Sequence, residues 1–234
     1  MMIDFDYLWP KYDIMPDGVL HLGANTGQEA EIYLKRGVKQ TIWVEAIPSV
    51  FNNLVNHVEK VSDRFSTDGI NQGYSISENN GAFFKGYRDQ MCVLACVGDE
   101  QDKEVYFNIS NNESKSSSYL ELGYHKIIHP SVDYIDKFKT KINRIDNLFS
   151  PLQFTGNWFL NADLQGSELQ AFKGMGELIN KFKWVYSEVN FKECYIGGAL
   201  VWDVDEYLSN FRFTRVETGQ IVGETWTDAL YIKK

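Results

Sequence analysis

Basic residues, cysteine and long apolar runs are all scarce in this chain. Its 234 residues carry a net charge of −9, and Lys and Arg are scattered rather than clustered. Nucleic-acid binding normally needs a basic stripe that replaces phosphate counterions, so we expect no nucleic-acid partner. No stretch approaches the roughly 20 apolar residues that cross a bilayer, and no leader sequence is visible near the first residues. We therefore expect no membrane partner and a cytoplasmic protein.

The three cysteines, Cys92, Cys96 and Cys194, exclude two further classes. They are too few for a disulfide framework, and their spacing does not match a zinc site. We expect buried free thiols in a reducing compartment. The 44% of hydrophobic residues is enough for a packed core without crosslinks.

Short apolar runs alternate with helical patterns along the chain. Residues 19–22 and 41–44 are apolar runs, followed by helical patterns that begin near Gly27 and at Pro48. This order predicts βαβ units and a parallel sheet within one α/β domain over residues 1–234. The same reasoning predicts further strands at 92–97, 105–109 (antiparallel), 158–162, 184–187, 212–217 and 229–232, and helices near 169–175 and 201–208.

Segment 60–90 interrupts this alternation. It is rich in Ser, Asn, Gly and Asp and shows no sustained period. We interpret it as an inserted loop that acts as a lid or binds the acceptor.

The turn after the first strand is a candidate cofactor site. Gly23 and Gly27 flank it, and glycine allows a ligand to approach the backbone closely. Glu45 ends the second strand, where a carboxylate can accept hydrogen bonds from the hydroxyls of a ribose. The turn lacks both the Gly-x-Gly-x-x-Gly of pyrophosphate sites and the Gly-Lys-Ser/Thr of a Walker motif. This favours S-adenosylmethionine, which has no phosphate, over a nicotinamide cofactor.

Two more strand ends carry polar side chains. Asn161 and Asp163 close the strand at 158–162, and Glu188 and Asn190 follow the strand at 184–187. Such a cluster suits proton removal from a hydroxyl, with Asp163 as the general base or as the anchor of the cofactor's amino group. Magnesium bound by these carboxylates is a weaker alternative, because Asn161 occupies a likely ligand position at which a carboxylate would bind the ion more strongly. Asp163 could instead cap a helix that begins near Gly166, and Glu168 suits the first turn of that helix.

The remaining polar candidates have simpler structural explanations. His125 and His129 lie in an irregular region that could cover the acceptor and supply a base, whereas His21 is expected in the core or against the cofactor turn. The serines at 116–118 could contact a ligand, and Tyr195, Trp202 and Trp226 could stack on a sugar ring. For each of these residues, structural use is the preferred interpretation.

Five sequence blocks together resemble one known family. They are His21-Leu22-Gly23-Ala24-Asn25-Thr26-Gly27-Gln28, Trp43-Val44-Glu45-Ala46-Ile47-Pro48, Ile145-Asp146-Asn147-Leu148, Asp163-Leu164-Gln165-Gly166-Ser167-Glu168-Leu169 with Lys173-Gly174, and Asp228-Ala229-Leu230-Tyr231-Ile232. Their order resembles that of the FkbM-type methyltransferases, although His21 and Gln165 stand where acidic residues are common in that family.

The resemblance implies a class I methyltransferase fold. This is a Rossmann-like three-layer sandwich whose seven-stranded sheet is mostly parallel, with an antiparallel last strand. It also implies O-methylation, with S-adenosylmethionine, of a sugar, glycan or glycosylated small molecule. The cofactor residues would be Gly23, Ala24, Asn25, Thr26, Gly27, Gln28, Glu45, Ala46, Ala95, Asn161 and Asp163. The catalytic residues would be Asp163, Glu188 and Asn190.

Two rival functions stay open at this point. A nicotinamide-dependent oxidoreductase shares the general layout, and a non-catalytic protein of the same fold would keep the cofactor site. Titration with S-adenosylmethionine, S-adenosylhomocysteine and NAD separates the three.

Overall fold

Twelve strands and seven α-helices make up the described parts of the chain. The computed structural model describes residues 3–65, 75–79, 82–87 and 89–234. The strands are β1 (Gly18–Leu22), β2 (Gln40–Glu45), β3 (Ser75–Asn79), β4 (Ala82–Tyr87), β5 (Gln90–Leu94), β6 (Cys96–Val97), β7 (Glu104–Ser110), β8 (Tyr134–Asn143), β9 (Trp158–Ala162), β10 (Phe182–Asn190), β11 (Phe213–Thr218) and β12 (Trp226–Lys233). The helices are α1 (Phe5–Lys11), α2 (Ala30–Lys35), α3 (Pro48–Phe65), α4 (His125–Ile128), α5 (Ile145–Leu148), α6 (Glu168–Met175) and α7 (Val201–Ser209). Short 3₁₀ helices span Pro151–Gln153 and Gly176–Lys181.

The main sheet has the strand order β11-β12-β10-β9-β1-β2-β5-β4-β3. β5, β2, β1, β9 and β10 are parallel neighbours, and β12 runs antiparallel between β10 and β11. The strand order therefore reverses beside β1, which places a ligand crevice at the carboxyl ends of β1 and β9. These seven strands confirm the predicted class I methyltransferase fold.

Helices cover both faces of the sheet. On one face, Trp9 of α1 and Tyr33 of α2 stack at 5.9 Å, and both are fully enclosed. On the other face, Phe172 of α6 and Leu208 of α7 are completely buried against the sheet. The predicted three-layer sandwich is confirmed, since each face of the sheet buries its own apolar cluster.

Segment 60–90 differs from the inserted loop that we predicted. Residues 60–65 complete α3, and β3 and β4 form an antiparallel hairpin that extends the sheet beyond β5. The main sheet thus has nine strands rather than seven in the described residues. The polar composition misled the prediction, because edge strands need only one buried face. Residues 66–74, 80–81 and 88 lie outside the described residues, and the lid role stays a prediction.

A second, three-stranded sheet follows β5. β6 pairs in parallel with β8, and β7 pairs antiparallel with β8. The antiparallel β7 was predicted, but the run 92–97 is split at Ala95 into β5 and β6, and β8 was missed. β7 and β8 are joined by residues 111–133, which we call the cap.

Several element boundaries also differ from the prediction. α2 begins at Ala30 rather than near Gly27, because residues 24–29 form turns. α6 begins at Glu168, two residues later than expected. β10 continues to Asn190, so Glu188 lies within the strand and does not end it. None of the helices in the described residues is long and apolar enough to cross a membrane.

Candidate functional site

A cavity of about 550 Å³ opens at the carboxyl ends of β1, β2, β9 and β10, and the cap covers it. Most of the predicted site residues line this one cavity: Gly23, Ala24, Asn25, Gln28, Glu45, Ala46, Ala95, Asn161, Asp163 and Glu188. Thr26, Gly27 and Asn190 do not line it. Asn190 follows Glu188 on the same face of β10, and its side chain favours the charged form of the Glu188 carboxyl by lowering its pKa.

The turn after β1 is held close to the neighbouring strands. The amides of Gly23 and Ala24 both donate to the carbonyl of Val44 at 2.9 Å, and Gly23 has a φ of +75°. A Cβ at position 23 would lie 1.8 Å from the backbone oxygen of Asp163. Only glycine fits at this point, for both conformational and steric reasons.

Glu45 is fixed by the backbone around it. One carboxylate oxygen accepts from the amide of Asn25 at 3.0 Å, and the other accepts from the amide of Ile47 at 2.8 Å. Burial raises the pKa of Glu45 to about 7, although these backbone donors oppose the shift. The side chain is thus preorganised at the cavity edge, with lone pairs left for a ligand's hydroxyls.

Asp163 faces the cavity directly after β9. Its backbone amide donates to the carbonyl of Leu22 at 3.0 Å, and its carboxylate accepts a hydrogen bond from the amide of Gln165. Water reaches Asp163 through the cavity, yet protein surrounds it on the other sides and desolvation raises its pKa. Gln165 also contacts Glu188 at 3.3 Å and accepts from the hydroxyl of Tyr195.

Helix capping does not explain Asp163. α6 begins at Glu168 with Ser167 as its N-cap, and Asp163 lies outside this turn. The carboxyl of Glu168 accepts from the amides of Leu164 at 2.7 Å and Gly166 at 3.3 Å. Glu168 therefore stabilises the turn before α6, whereas the carboxylate of Asp163 faces the cavity.

Asp228 is a site residue that the sequence did not single out. It pairs with Glu188 across the antiparallel β10–β12 register, and both carboxyls line the cavity. Burial raises the pKa of Asp228 to about 7 and that of Glu188 well above its ordinary value, with Asp163 as a further cause for both. The sequence block at 228–232 includes Asp228, but only the pairing of β10 with β12 brings this residue beside Glu188.

A buried polar network lies under the turn. The amide of Asn161 donates to the hydroxyl of Tyr33 at 2.8 Å, and that hydroxyl lies 3.3 Å from Nδ1 of His21. His21 is in the core as predicted, and Asn161 has a structural partner besides its place on the cavity wall. Glu29, which the sequence did not single out either, lies beside this network and lines the cavity.

Acidic residues dominate the cavity wall. Its carboxyls are Glu29, Glu45, Asp163, Glu188 and Asp228. Among the described residues, its single Lys or Arg is Lys115 of the cap, which pairs with Glu113 at 2.6 Å. The described residues contain no group of three His, Cys, Asp or Glu arranged to hold a metal ion. The cavity favours a cationic ligand over a phosphate.

The cap is docked on the loop after β10. The amides of Gly123 and His125 donate to the carbonyl of Cys194 at 2.8 and 3.1 Å. His125 in turn lies 3.2 Å from the hydroxyl of Ser116, and both line the cavity together with His129 and Ser117. The expectation that this region covers the pocket is confirmed. Of the three aromatic candidates, Trp226 lines the cavity, whereas Tyr195 is buried beside it and Trp202 is exposed. The three cysteines are buried and free, as predicted.

The buried carboxyls predict an unusual pH dependence of stability. Burial raises the pKa of Glu29, Glu45 and Asp228 to about 7, well above the values of an unfolded chain. Between about pH 5 and 7 the native state keeps protons that the unfolded state has released, so the free energy of unfolding falls as the pH rises. His21 and His125, whose pKa values burial lowers, oppose this trend because they stay neutral in the native state. Since the carboxyls outnumber the histidines, and water in the cavity screens them in part, we expect a net loss of about 1–3 kcal/mol from pH 5.5 to 7.5. Urea unfolding of the ligand-free protein at the two pH values measures it, and greater stability at pH 7.5 would contradict the charge assignment.

No family model matches the sequence, and no curated protein matches it either. Solved structures with a similar fold include a Streptococcus pneumoniae protein described as a tRNA (m1A22) methyltransferase, with 10% identity, coverage of 100% of this chain and 71% of that chain, and a TM-score of 0.49. Another is the magnesium protoporphyrin IX methyltransferase of Synechocystis with bound S-adenosylmethionine, with 8% identity, coverage of 97% and 75%, and a TM-score of 0.47. A third, from Pyrococcus horikoshii, is described as an RNA methyltransferase, with 12% identity, coverage of 97% and 80%, and a TM-score of 0.44.

One prediction needs correction. Two of the three neighbours are described as tRNA or RNA methyltransferases, which runs against the expectation of no nucleic-acid partner, so that expectation is withdrawn. Net charge is a property of the whole chain, whereas nucleic acid is bound by a local surface. The similarities to these solved structures concern the fold alone.

Proposed function

We propose that this chain is an S-adenosylmethionine-dependent methyltransferase that methylates a hydroxyl of a sugar, a glycan or a glycosylated small molecule, in the manner of the FkbM-type enzymes. The observation that carries the proposal is the cavity beside the Gly23 turn. It combines a Glu45 carboxylate fixed by two backbone amides with a wall of carboxylates and no Lys or Arg near the turn.

The donor set of this cavity fits S-adenosylmethionine. Glu45 would accept from the ribose hydroxyls, and Ala95 and Ala46 line the wall next to it. When bound, this cofactor supplies a methyl group on a sulfonium ion. The positive charge of that ion suits the acidic wall, whereas the pyrophosphate of a nicotinamide cofactor would be repelled by it. This electrostatic difference favours a methyltransferase over an oxidoreductase.

Asp163 is the proposed proton acceptor. Its carboxylate faces the cavity next to the Gly23 turn, and its raised pKa brings it closer to the range in which a general base works near neutral pH. As the acceptor oxygen gains a methyl group, its proton would pass to Asp163. The amide of Gln165 orients Asp163 and contacts Glu188, and Asn190 in turn orients Glu188.

The cap side of the cavity suits a polyhydroxylated acceptor. The hydroxyl of Tyr119, Nδ1 of His125 and the indole nitrogen of Trp226 are enclosed there and lack hydrogen-bond partners among the described residues. These atoms could bind hydroxyls that both donate and accept, and the ring of Trp226 offers an apolar face to a sugar.

Calorimetric titration tests the cofactor first. We expect the wild-type protein to bind S-adenosylmethionine and S-adenosylhomocysteine and to ignore NAD. Binding of NAD alone would instead support an oxidoreductase.

The acceptor is tested next, in a radiolabelled methyl-transfer assay with nucleotide sugars, free glycosides and, because nucleic acid is not excluded, bulk tRNA. Transfer to tRNA but to no sugar would overturn the proposed substrate class while leaving the cofactor in place. Cofactor binding without transfer to any acceptor would point to the non-catalytic alternative.

Replacement of Glu45 tests the ribose contact. Glu45→Ala removes a charged acceptor, so we expect S-adenosylhomocysteine to bind about 1.5–3 kcal/mol more weakly, the usual range for a hydrogen bond to a charged group. Glu45→Gln keeps an acceptor for one backbone amide and serves if the alanine variant does not fold. Glu104→Ala, on the exposed start of β7, is the control. Wild-type affinity in a folded Glu45 variant would remove this residue from the cofactor site.

A further inference from the structure

Glu29 is an enclosed carboxylate beside the Gly23 turn, and one of its two oxygens has no hydrogen-bond partner among the described residues. It directly precedes α2 and lines the cavity, and its side chain is only 14% exposed. Its Oε2 atom is buried and accepts no hydrogen bond from the described residues. A buried carboxylate oxygen without a donor is costly, so a bound molecule is expected to supply one.

The adjacent histidine cannot supply that donor. Nδ1 of His21 lies 3.9 Å from Oε2 of Glu29. Nδ1 lies nearer to the hydroxyl of Tyr33, at 3.3 Å, and the hydrogen bond to that hydroxyl occupies it. Burial lowers the pKa of His21 to about 3 and keeps the ring neutral, so the ring offers Glu29 no charge.

No cation of the chain compensates for Glu29 either. The described residues place no Lys or Arg within ion-pair distance of it, and His21 is the one basic side chain nearby. Burial raises the pKa of Glu29 to about 7, with the nearby charge of Asp163 as a smaller cause and the backbone amide of Glu29 itself opposing the shift. A cation bound near both carboxyls would relieve this repulsion.

We propose that Glu29 binds the primary ammonium group of the cofactor's amino-acid arm. This inference rests on the proposed function, which takes S-adenosylmethionine as the cofactor. The sulfonium ion is positively charged but has no N–H bond, whereas an ammonium has three donors for an oxygen that lacks one. Glu45, at the end of β2, contacts the turn at the amide of Asn25, and Glu29 ends the turn just before α2. One carboxylate would therefore hold the ribose and the other the amino-acid arm.

The experiment compares two ligands that differ only in this group. One is S-adenosylhomocysteine, and the other is its deamino analogue, in which hydrogen replaces the ammonium. For the wild-type protein, we expect calorimetry to show about 10- to 100-fold tighter binding of S-adenosylhomocysteine. Glu29→Gln should lose most of this preference by binding S-adenosylhomocysteine more weakly, with the affinity for the deamino analogue unchanged.

Two variants serve as controls. Glu31→Gln removes a carboxylate two residues further on, which is 38% exposed and pairs with Lys35 and Arg64, and it should bind both ligands as the wild type does. Glu45→Ala should weaken both ligands alike, because both carry the ribose. Thermal unfolding of each variant checks its fold.

Four outcomes are decisive. An equal loss for both ligands in Glu29→Gln would show a structural role and overturn the proposal, and so would unchanged affinity for S-adenosylhomocysteine. A wild-type protein that binds both ligands equally well would overturn it without any variant. If the wild type binds neither ligand, the proposed function itself fails, which is distinct from the failure of Glu29 alone.

Discussion

Asp163→Asn should lower the turnover of the methyl-transfer reaction by about 10²–10⁴-fold, the usual contribution of a general base. Asparagine keeps the size of the side chain and can still hydrogen-bond Gln165, but it cannot take the proton of an acceptor hydroxyl. Because Asp163 is not the cap of α6, the fold does not depend on its charge. The free energy of unfolding should therefore change little. The measurement is the single-turnover rate with saturating cofactor and an acceptor found in the panel above.

Asp136→Asn is a matched control for this variant. Asp136 is an exposed residue of β8, remote from the cavity wall, so its amide variant should retain the wild-type rate. Cofactor affinity is measured in parallel by calorimetry. A fall in affinity with an unchanged rate would make Asp163 an anchor of the cofactor and not a base. A folded Asp163→Asn enzyme with both values at the wild-type level would remove it from the site.

Gly23→Ala should destabilise the protein by more than about 3 kcal/mol and abolish cofactor binding. A Cβ at this position meets the backbone oxygen of Asp163 at 1.8 Å, and the φ of +75° adds strain of about 1–3 kcal/mol for any other residue. The clash involves backbone on both sides, so it can be relieved only if β1 and β9 separate at their carboxyl ends. That movement would disturb the cavity floor itself.

Gly37→Ala isolates the conformational part of this effect. Gly37 has a similar φ of +78°, but nothing lies within 4 Å of a Cβ built there. We expect this control to lose only about 1–2 kcal/mol and to bind S-adenosylhomocysteine normally. Urea unfolding and calorimetry compare the two variants. Equal losses of stability would show that backbone strain alone, and not the approach of Asp163, makes glycine necessary at position 23.

The sequence located one end of the site well because the relevant signals are local. Gly23, Glu45 and Asp163 each follow an apolar run, and the carboxyl ends of parallel strands necessarily meet at one edge of the sheet. Periodicity was less useful for segment 60–90, where polar edge strands resemble a loop. It also failed for β8, which pairs with a strand more than 20 residues away in the chain.

Glu29 and Asp228 show what local signals could not provide. In the sequence, Glu29 looks like an ordinary turn residue. Its functional interest arises only because packing encloses its Oε2 atom without a hydrogen-bond donor and leaves His21 3.9 Å away. Asp228 becomes part of the acidic wall through its register with Glu188. Asn190 was placed in the site from its proximity in sequence, but it contacts Glu188 behind the wall.

The sequence by itself determined the fold class and the turn at Gly23 that lines the cavity, since alternating apolar runs and helical patterns specify a parallel sheet and glycines mark its crevice. Only the tertiary structure decided how the cavity is closed and charged. The cap reaches the strand ends through hydrogen bonds to the loop after β10, and the five carboxyls come from distant parts of the chain. Their raised pKa values and the missing partner of Glu29 depend on burial and on the geometry of neighbours. The raised pKa values and the unpartnered oxygen arise only when the chain is packed, and no single segment of the sequence reveals them.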